Sequence, residues 1–300
     1  MSITGQNLSI VIVTLRSEDV IFECLDSIDQ KIPVYIIENS SNFKFKNILE
    51  KKYNNVRCIL TEKNLGMGAG NNVGIRLVKT DYVLILNPDV ILETNTIEEL
   101  IATSKDDLDF AILAPICIND KYPNYKLYDE NDLRNQDNFL FKVKSVDGYA
   151  MLFNKKKINE ILQKESENKN QNYFDENFFM YLENDDLCKR VTKNNGKILV
   201  ARKAQINHLG GKAVNEIYRN EVELSRNWHW IWSKFYFNKK HYGSLKALRL
   251  GLPQFFYSIC KMIFFVITQN SFKKKIYLNR ASGFLNAMIG KRSWYRPKLD

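Results

Sequence analysis

The stretch Leu8-Ser9-Ile10-Val11-Ile12-Val13, together with the residues that follow it, decides the fold class of this 300-residue chain. Such a short run of β-branched residues is typical of a buried strand. Residues 17–30 then repeat apolar side chains at helical spacing, and these are Val20, Ile21, Cys24, Leu25 and Ile28. The chain therefore begins with a strand followed by a helix.

The same pattern of strand and helix recurs three more times. The predicted pairs are residues 34–38 with 43–53, residues 56–61 with 69–78, and residues 82–86 with 94–104. Four successive β-α units predict an α/β fold with a mainly parallel, doubly wound central sheet flanked by helices.

The regular pattern ends after a further strand at residues 110–116. Residues 119–138 are rich in Asn, Asp, Tyr and Lys and are predicted to form a long surface loop. Order is expected to resume over residues 143–153, 155–164 and 174–194, and the last strand is predicted at residues 198–201.

Charge is divided unevenly between the two ends of the chain. Residues 212–300 hold 17 Lys and Arg against 4 Asp and Glu, whereas residues 1–211 hold 27 against 30. From residue 215 onward the chain is helical in character and aromatic, as in Trp228-His229-Trp230-Ile231-Trp232. We predict an α/β domain over residues 1–212 and a basic, aromatic helical appendage over residues 213–300. Such a basic block can hold nucleic acid, an anionic membrane surface or only water, and the charge asymmetry alone does not choose between them. Its Lys, Arg, Trp and Tyr residues together suit a membrane surface.

The most apolar part of the appendage, residues 255–268, is predicted to lie on a membrane and not to cross it. It is too short for a span, contains Lys261, and follows Pro253, which limits its extension upstream.

The N-terminus shows no secretion signal. The five cysteines are dispersed and never form a C-x-x-C pair, which argues against a disulfide framework and a zinc site. These features predict a cytoplasmic location.

Polar and glycine residues follow each predicted strand. In open α/β sheets the ligand binds beyond the carboxyl ends of the strands, so these residues are the first candidates for a site. They are Thr14 and Arg16 after the first strand, Glu38-Asn39-Ser40-Ser41 after the second, residues 62–74 after the third, and Asn87-Pro88-Asp89 after the fourth.

The third of these loops, residues 64–74, contains four glycines and opens a predicted helix. Absent side chains permit close backbone approach, and helix N-H groups favour phosphate, so the loop predicts a phosphate-bearing ligand. One alternative is a dinucleotide fingerprint, but the spacing is G-x-G-x-G and the loop follows the third strand instead of the first. The other alternative is a turn that only packs helix on strand.

Asn87-Pro88-Asp89 offers hard oxygen ligands of the kind that hold a divalent cation against a diphosphate. The alternative is a simple turn, in which Asn, Pro and Asp are common.

His208 follows the last predicted strand and precedes Gly210 and Gly211, a setting that suits a ligand-facing imidazole. A lone histidine of this kind is more often structural.

A group of carboxylates, Glu183, Asp185 and Asp186, begins a predicted helix below an aromatic strip. Glu183 and Asp186 share a helix face, and a partly buried carboxylate there suits a general base. The alternative is that these acids complement the helix dipole and that Asp186 pairs with Arg190.

Taken together, these segments resemble the family 2 glycosyltransferases of the GT-A fold, in particular the bacterial rhamnosyltransferase-like branch. The matching residues run in order over residues 8–212. They are the segments at 9–14, 37–41, 64–74, 86–89, 147–152, 174–181, 183–187 and 208–211.

The resemblance implies an inverting transfer of a sugar, with L-rhamnose from dTDP-rhamnose as the first candidate, to a lipid-linked oligosaccharide at the inner face of the cytoplasmic membrane. It implies that Asp89 holds Mg2+ or Mn2+ with the diphosphate and that His208 completes this metal site. Glu183 is the first candidate for the base and Asp186 the second. The donor-binding residues implied are Thr14, Arg16, Glu38, Asn39, Asn64, Gly66, Asn71, Asn72, Asn87, Asp89 and Gly148.

Within this implied set, Glu38 would contact the nucleobase, and Gly148 would leave room for the sugar. The chain departs from the family pattern at Asn87, where an aspartate is usual, and at Asn184, where relatives have a second carboxylate. A UDP-galactose or UDP-N-acetylglucosamine donor is the alternative within the class. Outside it, the departures allow a non-catalytic sugar-nucleotide or glycan binder. Nucleic acid is not an expected partner, since no nucleic-acid-reading motif is recognisable.

Overall fold

The first predicted strand, β1, spans Leu8–Thr14 and is buried along its whole length. Ile10 and Ile12 point into one core of the domain, and Val11 and Val13 point into the other. Because both faces of the strand are covered by helices, the strand is apolar at nearly every position. The following helix α1, Ile21–Asp26, is shorter than the predicted 17–30, because hydrogen-bonded turns at Ser17 and Ser27 flank it.

The structure is a computed structural model, which describes residues 7–119, 121, 123–129, 139–163 and 172–299. Residues 130–138 of the predicted loop and residue 164 of a predicted helix lie outside the described residues. The strands after β1 are β2 Val34–Glu38, β3 Val56–Leu60, β4 Tyr82–Leu86, β5 Val90–Leu92, β6 Phe110–Cys117, β7 Tyr125–Lys126, β8 Leu140–Lys142, β9 Ser145–Val146, β10 Ala150–Asn154 and β11 Lys197–His208. The helices after α1 are α2 Phe43–Lys52, α3 Met67–Leu77, α4 Thr96–Ser104, α5 Lys155–Gln163, α6 Glu183–Lys193, α7 Arg219–Tyr242, α8 Ser244–Ile267 and α9 Ser271–Met288.

The main sheet has the order β3-β2-β1-β4-β10-β6-β11-β5, with β8 paired to β11. Strands β3, β2, β1 and β4 are mutually parallel, as the β-α repeats predict. Strand β10 runs antiparallel between β4 and β6, so the sheet is mixed and mainly parallel. The two cores lie on its two faces.

Two strand predictions needed correction. Strand β11 continues to His208, well past the predicted 198–201, because a register shift between Ala201 and Gln205 lets its second half pair with the end of β6. The short strand β5 was not predicted, because its three apolar residues are fewer than a strand signal needs. It pairs antiparallel with the end of β11, with Val90 opposite His208.

The chain divides into two compact units. One comprises Met1–Asp175 and Asn184–Asn215, and it contains the sheet. The other comprises Glu176–Glu183 and Glu216–Asp300, and it contains α7, α8 and α9. The segment Glu176–Glu183 belongs to the helical unit by its packing, since the Ser233 hydroxyl donates to the carbonyl of Met180 at 2.8 Å. A sequence boundary at residue 212 could not include this segment, because its contacts are distant along the chain.

The aromatic residues of α7 form the core of the helical unit. Trp228 and Trp232 are buried with Phe235 of the same helix and Phe284 of α9. Gly283 permits this packing, because a Cβ there would lie 2.4 Å from the carbonyl oxygen of Trp228. These two tryptophans therefore serve the core and are not available as membrane-interface anchors.

Helix α8 is longer than the apolar segment predicted at 255–268. It runs through Pro253 without a break from Ser244 to Ile267. Among the described residues it is the single helix with the length and apolar composition to cross a membrane, and little of it is buried within the chain. The expectation that Pro253 limits the segment was wrong, since the helix continues on both sides of Pro253 although a proline removes one backbone N-H donor.

His229 lies fully buried in the helical unit and is held at both ring nitrogens. Nε2 lies 2.8 Å from the carbonyl of Tyr295, and Nδ1 lies 3.2 Å from the hydroxyl of Ser293. Burial lowers the pKa of His229 to about 3, and the charge of Arg296 acts in the same direction. The neutral ring fits, with Nε2 donating and Nδ1 accepting.

We expect the helical unit to lose stability as the pH falls below the unfolded-state pKa of His229, about 6.5. Because the folded-state pKa is depressed, the unfolded chain binds the extra proton, and the free energy of unfolding falls by about 1.4 kcal/mol per pH unit from pH 6 to pH 4. Tryptophan fluorescence during urea unfolding measures this, since all four tryptophans lie within residues 228–294. His229→Gln should remove this part of the slope, whereas His241→Gln should keep it. Parallel curves for wild type and His229→Gln would contradict the assignment.

Candidate active site

The carboxyl ends of β1, β2 and β4 meet at one edge of the sheet. Thr14 pairs in register with Glu38, and Ile12 pairs with Leu86, the residue before Asn87. The strand-end residues predicted from the sequence therefore lie at the same edge. This is where open α/β sheets bind their ligands.

Asp89 and His208 lie together at this edge. His208 Nε2 is 3.6 Å from Asp89 Oδ2, and the backbone N-H of Leu209 donates to the Asp89 carbonyl at 2.9 Å. The pairing of β5 with β11 brings them together, because it sets Val90 opposite His208. Asp89 is only 2% exposed.

Both the ring and the backbone of His208 are held in place by neighbouring residues. The Tyr149 ring stacks on it with centroids 4.1 Å apart. The side chain of Asn119 clamps the backbone of His208, donating to its carbonyl at 2.9 Å and accepting from its N-H at 3.0 Å. Tyr149 is itself tied to the same loop as Asp89, since its carbonyl accepts from the Asn87 N-H at 2.9 Å.

Several buried oxygen atoms at this edge have no hydrogen-bond partner in the described part of the chain. They are Oδ1 of Asp89, Oδ1 of Asn87, Oδ1 of Asn71 and Oγ1 of Thr14. Buried polar atoms are nearly always satisfied in folded proteins, so such a group of acceptors indicates a ligand that supplies cations or donors. The buried Cys24 thiol, whose pKa is raised by burial and further by the charge of Asp89, is a neutral weak donor to the Asn87 carbonyl.

The Glu38 carboxylate is buried and takes hydrogen bonds from its own loop. It accepts from the Ser40 hydroxyl and from the N-H groups of Ser40 and Asn42, the latter two at 3.0 and 2.7 Å. This arrangement shapes the turn into α2. The predicted nucleobase contact therefore has to compete with bonds that the carboxylate already makes.

Asn39 links the loops after β2 and β3. Its amide donates to the Gly66 carbonyl at 3.3 Å and accepts from the Thr61 hydroxyl at 3.1 Å. Asn64 accepts from the Gly66 N-H at 3.0 Å. Gly66 has a φ of 83°, a left-handed conformation that favours glycine, and it is the N-cap residue of α3.

The other glycines of this loop pack α3 against β1. A Cβ at Gly74 would lie 2.3 Å from Cγ1 of Val11, and one at Gly70 would lie 3.0 Å from the Val13 methyl groups. Asn72 is buried and forms two hydrogen bonds with the backbone of Phe174, at 2.8 and 3.0 Å. Both ends of the Asn72 amide hold the backbone of Phe174, and the role predicted for Asn72 along the donor stays a prediction.

We expect Gly74→Ala to destabilise the protein by about 2 kcal/mol, because the new methyl group overpacks against Val11 by more than the helix gains from alanine. Urea unfolding followed by circular dichroism measures this. The matched test is Val11→Ala combined with Gly74→Ala. The double variant should cost at least about 1 kcal/mol less than the sum of the single variants. Additive costs would show that this contact does not limit the helix.

The loop after β1 is closed by residues near the end of the sheet unit. Arg16 has a positive φ of 50°, and its carbonyl accepts from the Asn215 N-H at 2.9 Å. The Ser17 hydroxyl donates to the Ala213 carbonyl at 2.6 Å. Backbone strain at a non-glycine residue is typical of a functional loop.

Gly148 lies in the turn before β10 and faces Asn184. A Cβ at Gly148 would lie 3.2 Å from the Asn184 Cβ. The Asn184 amide donates to the Val146 carbonyl at 2.9 Å, a bond that a carboxylate at this position could not donate. The glycine therefore makes room for Asn184, and the role predicted for it in a sugar pocket stays a prediction.

Asp186 forms an ion pair within α6. It is fully buried and pairs with Arg190 Nε at 2.9 Å, and Arg190 also donates to the carbonyl of Tyr173. The ion pair is the structural alternative weighed from the sequence, and the role of Asp186 as second candidate base stays a prediction. Asp185 pairs with Lys126 at 2.9 Å.

Glu183 is half-buried at the first position of α6. The two residues before it, Tyr181 and Leu182, both have left-handed backbone, with φ of 70° and 68°. Two successive non-glycine residues in this conformation are costly, and such strain clusters at active sites. The strained backbone next to Glu183 fits the role of base predicted for it, and that role stays a prediction.

Comparison with known proteins identifies the family. Residues 9–162 match the family described as Glycosyl transferase family 2. The chain belongs to this family.

Two relatives of this family 2 chain have assigned activities. It is 25% identical over 205 residues to the low-salt glycan biosynthesis hexosyltransferase Agl10 of Haloferax volcanii, covering 63% of this chain and 62% of that protein. It is 37% identical over 92 residues to a poly(ribitol-phosphate) beta-glucosyltransferase of Bacillus spizizenii, covering 27% of this chain and 14% of that protein. The chain thus spans less than two thirds of the length of each.

Solved structures confirm the predicted GT-A fold of the family 2 chain. A crystal structure of S. aureus TarS residues 1–349 has a TM-score of 0.52 at 16% identity and covers 97% of this chain and 93% of that one. The crystal structure of GalNAc-T7 with UDP, GalNAc and Mn2+ has a TM-score of 0.53 at 12% identity, covering 76% of this chain and 50% of that one.

Two residues of the family 2 site were not singled out from the sequence, namely Tyr149 and Asn119. Tyr149 stood inside a quoted motif, but its ring has no sequence signal for stacking on a histidine about sixty residues away. Asn119 stood at the start of a predicted surface loop. A polar residue directly after the β6 strand was the available signal.

Asp89 and His208 together suit a divalent cation that takes its remaining ligands from phosphate and water. The described residues contain no group of three or more His, Cys, Asp or Glu side chains that could hold a metal. Asp89 Oδ1 is a buried oxygen without a partner, and His208 adds an imidazole nitrogen nearby. One or two protein ligands plus phosphate oxygens and water is the usual arrangement for Mg2+ at diphosphates.

Proposed function

We propose that this family 2 chain is an inverting glycosyltransferase that moves a sugar from a nucleotide-sugar donor to a glycan acceptor. The observation that carries the proposal is the buried Asp89 carboxylate at the end of β4, 3.6 Å from His208, with an oxygen that lacks a partner in the described chain. A buried carboxylate at this position can bind a cation that accompanies a ligand, or accept hydrogen bonds from the ligand itself.

The donor diphosphate is proposed to bind at the edge formed by β1, β2 and β4. Asp89 and His208 would hold Mg2+ or Mn2+, which when bound neutralises charge on the departing diphosphate. The Mn2+ bound to GalNAc-T7 supports this assignment by likeness of fold. Asn87, Asn71 and Thr14 offer their buried oxygens to donors on the ligand, such as ribose hydroxyls and the sugar itself.

Glu183 is proposed as the general base. Its carboxylate takes the proton of an acceptor hydroxyl while the hydroxyl oxygen bonds to the anomeric carbon. The bond from that carbon to the diphosphate oxygen breaks on the opposite face, and the electron pair leaves with the nucleoside diphosphate. The configuration at the anomeric carbon is therefore inverted. The strained backbone at Tyr181 and Leu182 supports a functional role for this position.

The first candidate donor is dTDP-L-rhamnose, which the resemblance to the rhamnosyltransferase-like branch supports. The second is a UDP-hexose or UDP-N-acetylhexosamine, and the likeness to a beta-glucosyltransferase and to a hexosyltransferase favours the hexose. The acceptor is proposed to be a lipid-linked oligosaccharide of O-antigen, capsule or another cell-surface polysaccharide, reached from the cytoplasmic face of the membrane.

A donor screen tests this function. The full chain is incubated with dTDP-rhamnose, UDP-glucose, UDP-galactose or UDP-N-acetylglucosamine and with a lipid-linked glycan extract, and the released nucleoside diphosphate is measured with and without Mn2+. Release from one donor that depends on the acceptor supports the proposal. Tight binding of a nucleotide sugar without release from any donor would instead identify a sugar-nucleotide binder.

A further inference from the structure

The outward side of helix α8 carries a row of exposed apolar residues, with the cations Lys246 and Arg249 near its N-terminal end. Leu245, Leu252, Phe256, Ile263 and Ile267 follow one another at intervals of seven, four, seven and four residues, so they share one helix face. All five are exposed, with Phe256 at 61% and Ile267 at 75%. We name these five residues the α8 face. Its pattern is the reverse of the usual surface helix, whose outward side is polar.

The opposite side of α8 is already used within the helical unit. Ala247 and Ser258 are buried, and a Cβ at Gly251 would lie 2.4 Å from the ring of Phe284 on α9. The Phe255 ring also stacks on Phe284, with centroids 5.1 Å apart. A membrane-crossing position would expose this packed side to lipid and break the bundle. The α8 face alone is free for a partner, which favours a helix lying in the plane of a surface.

The surroundings of the α8 face carry one sign of charge. From Leu224 to Leu299 the chain has 15 Lys and Arg and no Asp or Glu. Lys273, Lys274 and Lys275 lie in the first turn of α9, directly after the end of α8. Cations at a helix N-terminus are opposed by the helix dipole, so an anionic partner would offset an unfavourable arrangement.

One cation lies at the middle of α8. Lys261 Nζ lies 5.7 Å from the Tyr257 ring centre and 5.6 Å from the Phe264 ring centre. A lysine whose stem follows aromatic rings while its ammonium group reaches outward is suited to the boundary between lipid chains and headgroups. The one charge on this stretch of the helix therefore does not oppose insertion of the apolar side chains.

We propose that the α8 face, together with Lys273, Lys274 and Lys275, docks the protein in plane on an anionic lipid bilayer. Apolar side chains enter the boundary of the acyl chains while the lysines meet phosphate headgroups. A second copy of the chain is a poorer partner, because two surfaces of the same strong positive charge repel each other. The inference extends the proposed function, in which a lipid-linked acceptor is presented at such a surface, but its test needs no sugar transfer.

Vesicle co-sedimentation of the full chain tests the proposal. The vesicles are phosphatidylcholine alone or phosphatidylcholine mixed with phosphatidylglycerol. We expect binding to the anionic vesicles that falls with added salt. Phe256→Ser with Ile263→Ser should weaken partitioning by at least tenfold, and replacing Lys273, Lys274 and Lys275 with Gln should weaken it by about a hundredfold. The matched controls are Phe43→Ser with Ile48→Ser, and Gln at Lys31, Lys44 and Lys51. They change exposed residues of the sheet unit and should bind as wild type.

Each result distinguishes the proposal from its rivals. Circular dichroism and thermal unfolding establish that every variant is folded. Unchanged vesicle binding by the folded α8-face variant would overturn the proposal, as would absence of wild-type binding to anionic vesicles. Light scattering without lipid detects a dimer, and a dimer that the Phe256→Ser and Ile263→Ser substitutions dissociate would assign the face to self-association instead. Nucleotide release with a water-soluble acceptor should stay unchanged in these variants, so failure of the proposed function is read separately.

Discussion

Replacing Asp89 with Asn is expected to reduce nucleoside diphosphate release by about a thousandfold, because the substitution removes the charge that holds a cation against the leaving diphosphate. The fold should not suffer. The backbone carbonyl of Asp89, which accepts from the Leu209 N-H, is retained. The substitution exchanges one carboxylate oxygen for an NH2 group and removes a buried charge. Oδ1 of Asp89 has no hydrogen-bond partner within the described chain, so the free energy of unfolding should stay unchanged or rise.

The matched control for this prediction is Asp81→Asn. Asp81 is an exposed carboxylate directly before β4, whereas Asp89 follows the same strand. Steady-state release of nucleotide and urea unfolding are measured for both variants. Asp81→Asn should keep wild-type turnover. If Asp89→Asn also retains full turnover, or if it loses turnover only because it unfolds, the leaving-group site lies elsewhere.

Glu183→Gln is expected to lower kcat by about a thousandfold while leaving the affinity for the donor nucleotide unchanged. A glutamine keeps the shape of the side chain but cannot take a proton, and general bases contribute about a hundredfold to ten-thousandfold. Product formation under saturating donor measures kcat, and titration with the nucleotide measures affinity. Turnover at the wild-type rate would remove Glu183 from the mechanism.

Asp186→Asn separates a base from a structural acid on the same helix. Asp186 is buried against Arg190, so its neutralisation leaves a buried guanidinium without its anion and should cost about 3–5 kcal/mol of unfolding free energy. Turnover per folded molecule should stay near that of wild type. The opposite pattern, with normal stability and lost turnover, would transfer the role of base from Glu183 to Asp186.

Much of the fold was predictable because β-strand and helix periodicities are local. The predicted bounds of β2 and β4 are those observed, and the parallel direction of β1, β2, β3 and β4 is the one that the β-α repeats predict. The position of Asp89 at the ligand-binding edge was also predictable. Parallel strands present their carboxyl ends at one edge, so the residue after a strand is placed by the strand itself.

Partners that are distant along the chain were less predictable. Asn72 and Asp186 have residue types that suit a site, but Asn72 binds the backbone of Phe174 and Asp186 binds Arg190. Sequence spacing gives the direction of a side chain on its own element. Sequence spacing does not identify the residue of another element that this side chain contacts.

The sequence by itself determined that this protein has a strand and helix repeat, an acidic residue after the fourth strand, and a basic C-terminal region. Only the tertiary structure decided that β5 pairs with β11 and so sets Asp89 beside His208. It also decided that Trp228 and Trp232 of α7 lie inside while the apolar side of α8 faces outward. The physical reason is that periodicity reveals an apolar face, whereas the packing of other elements decides what covers it.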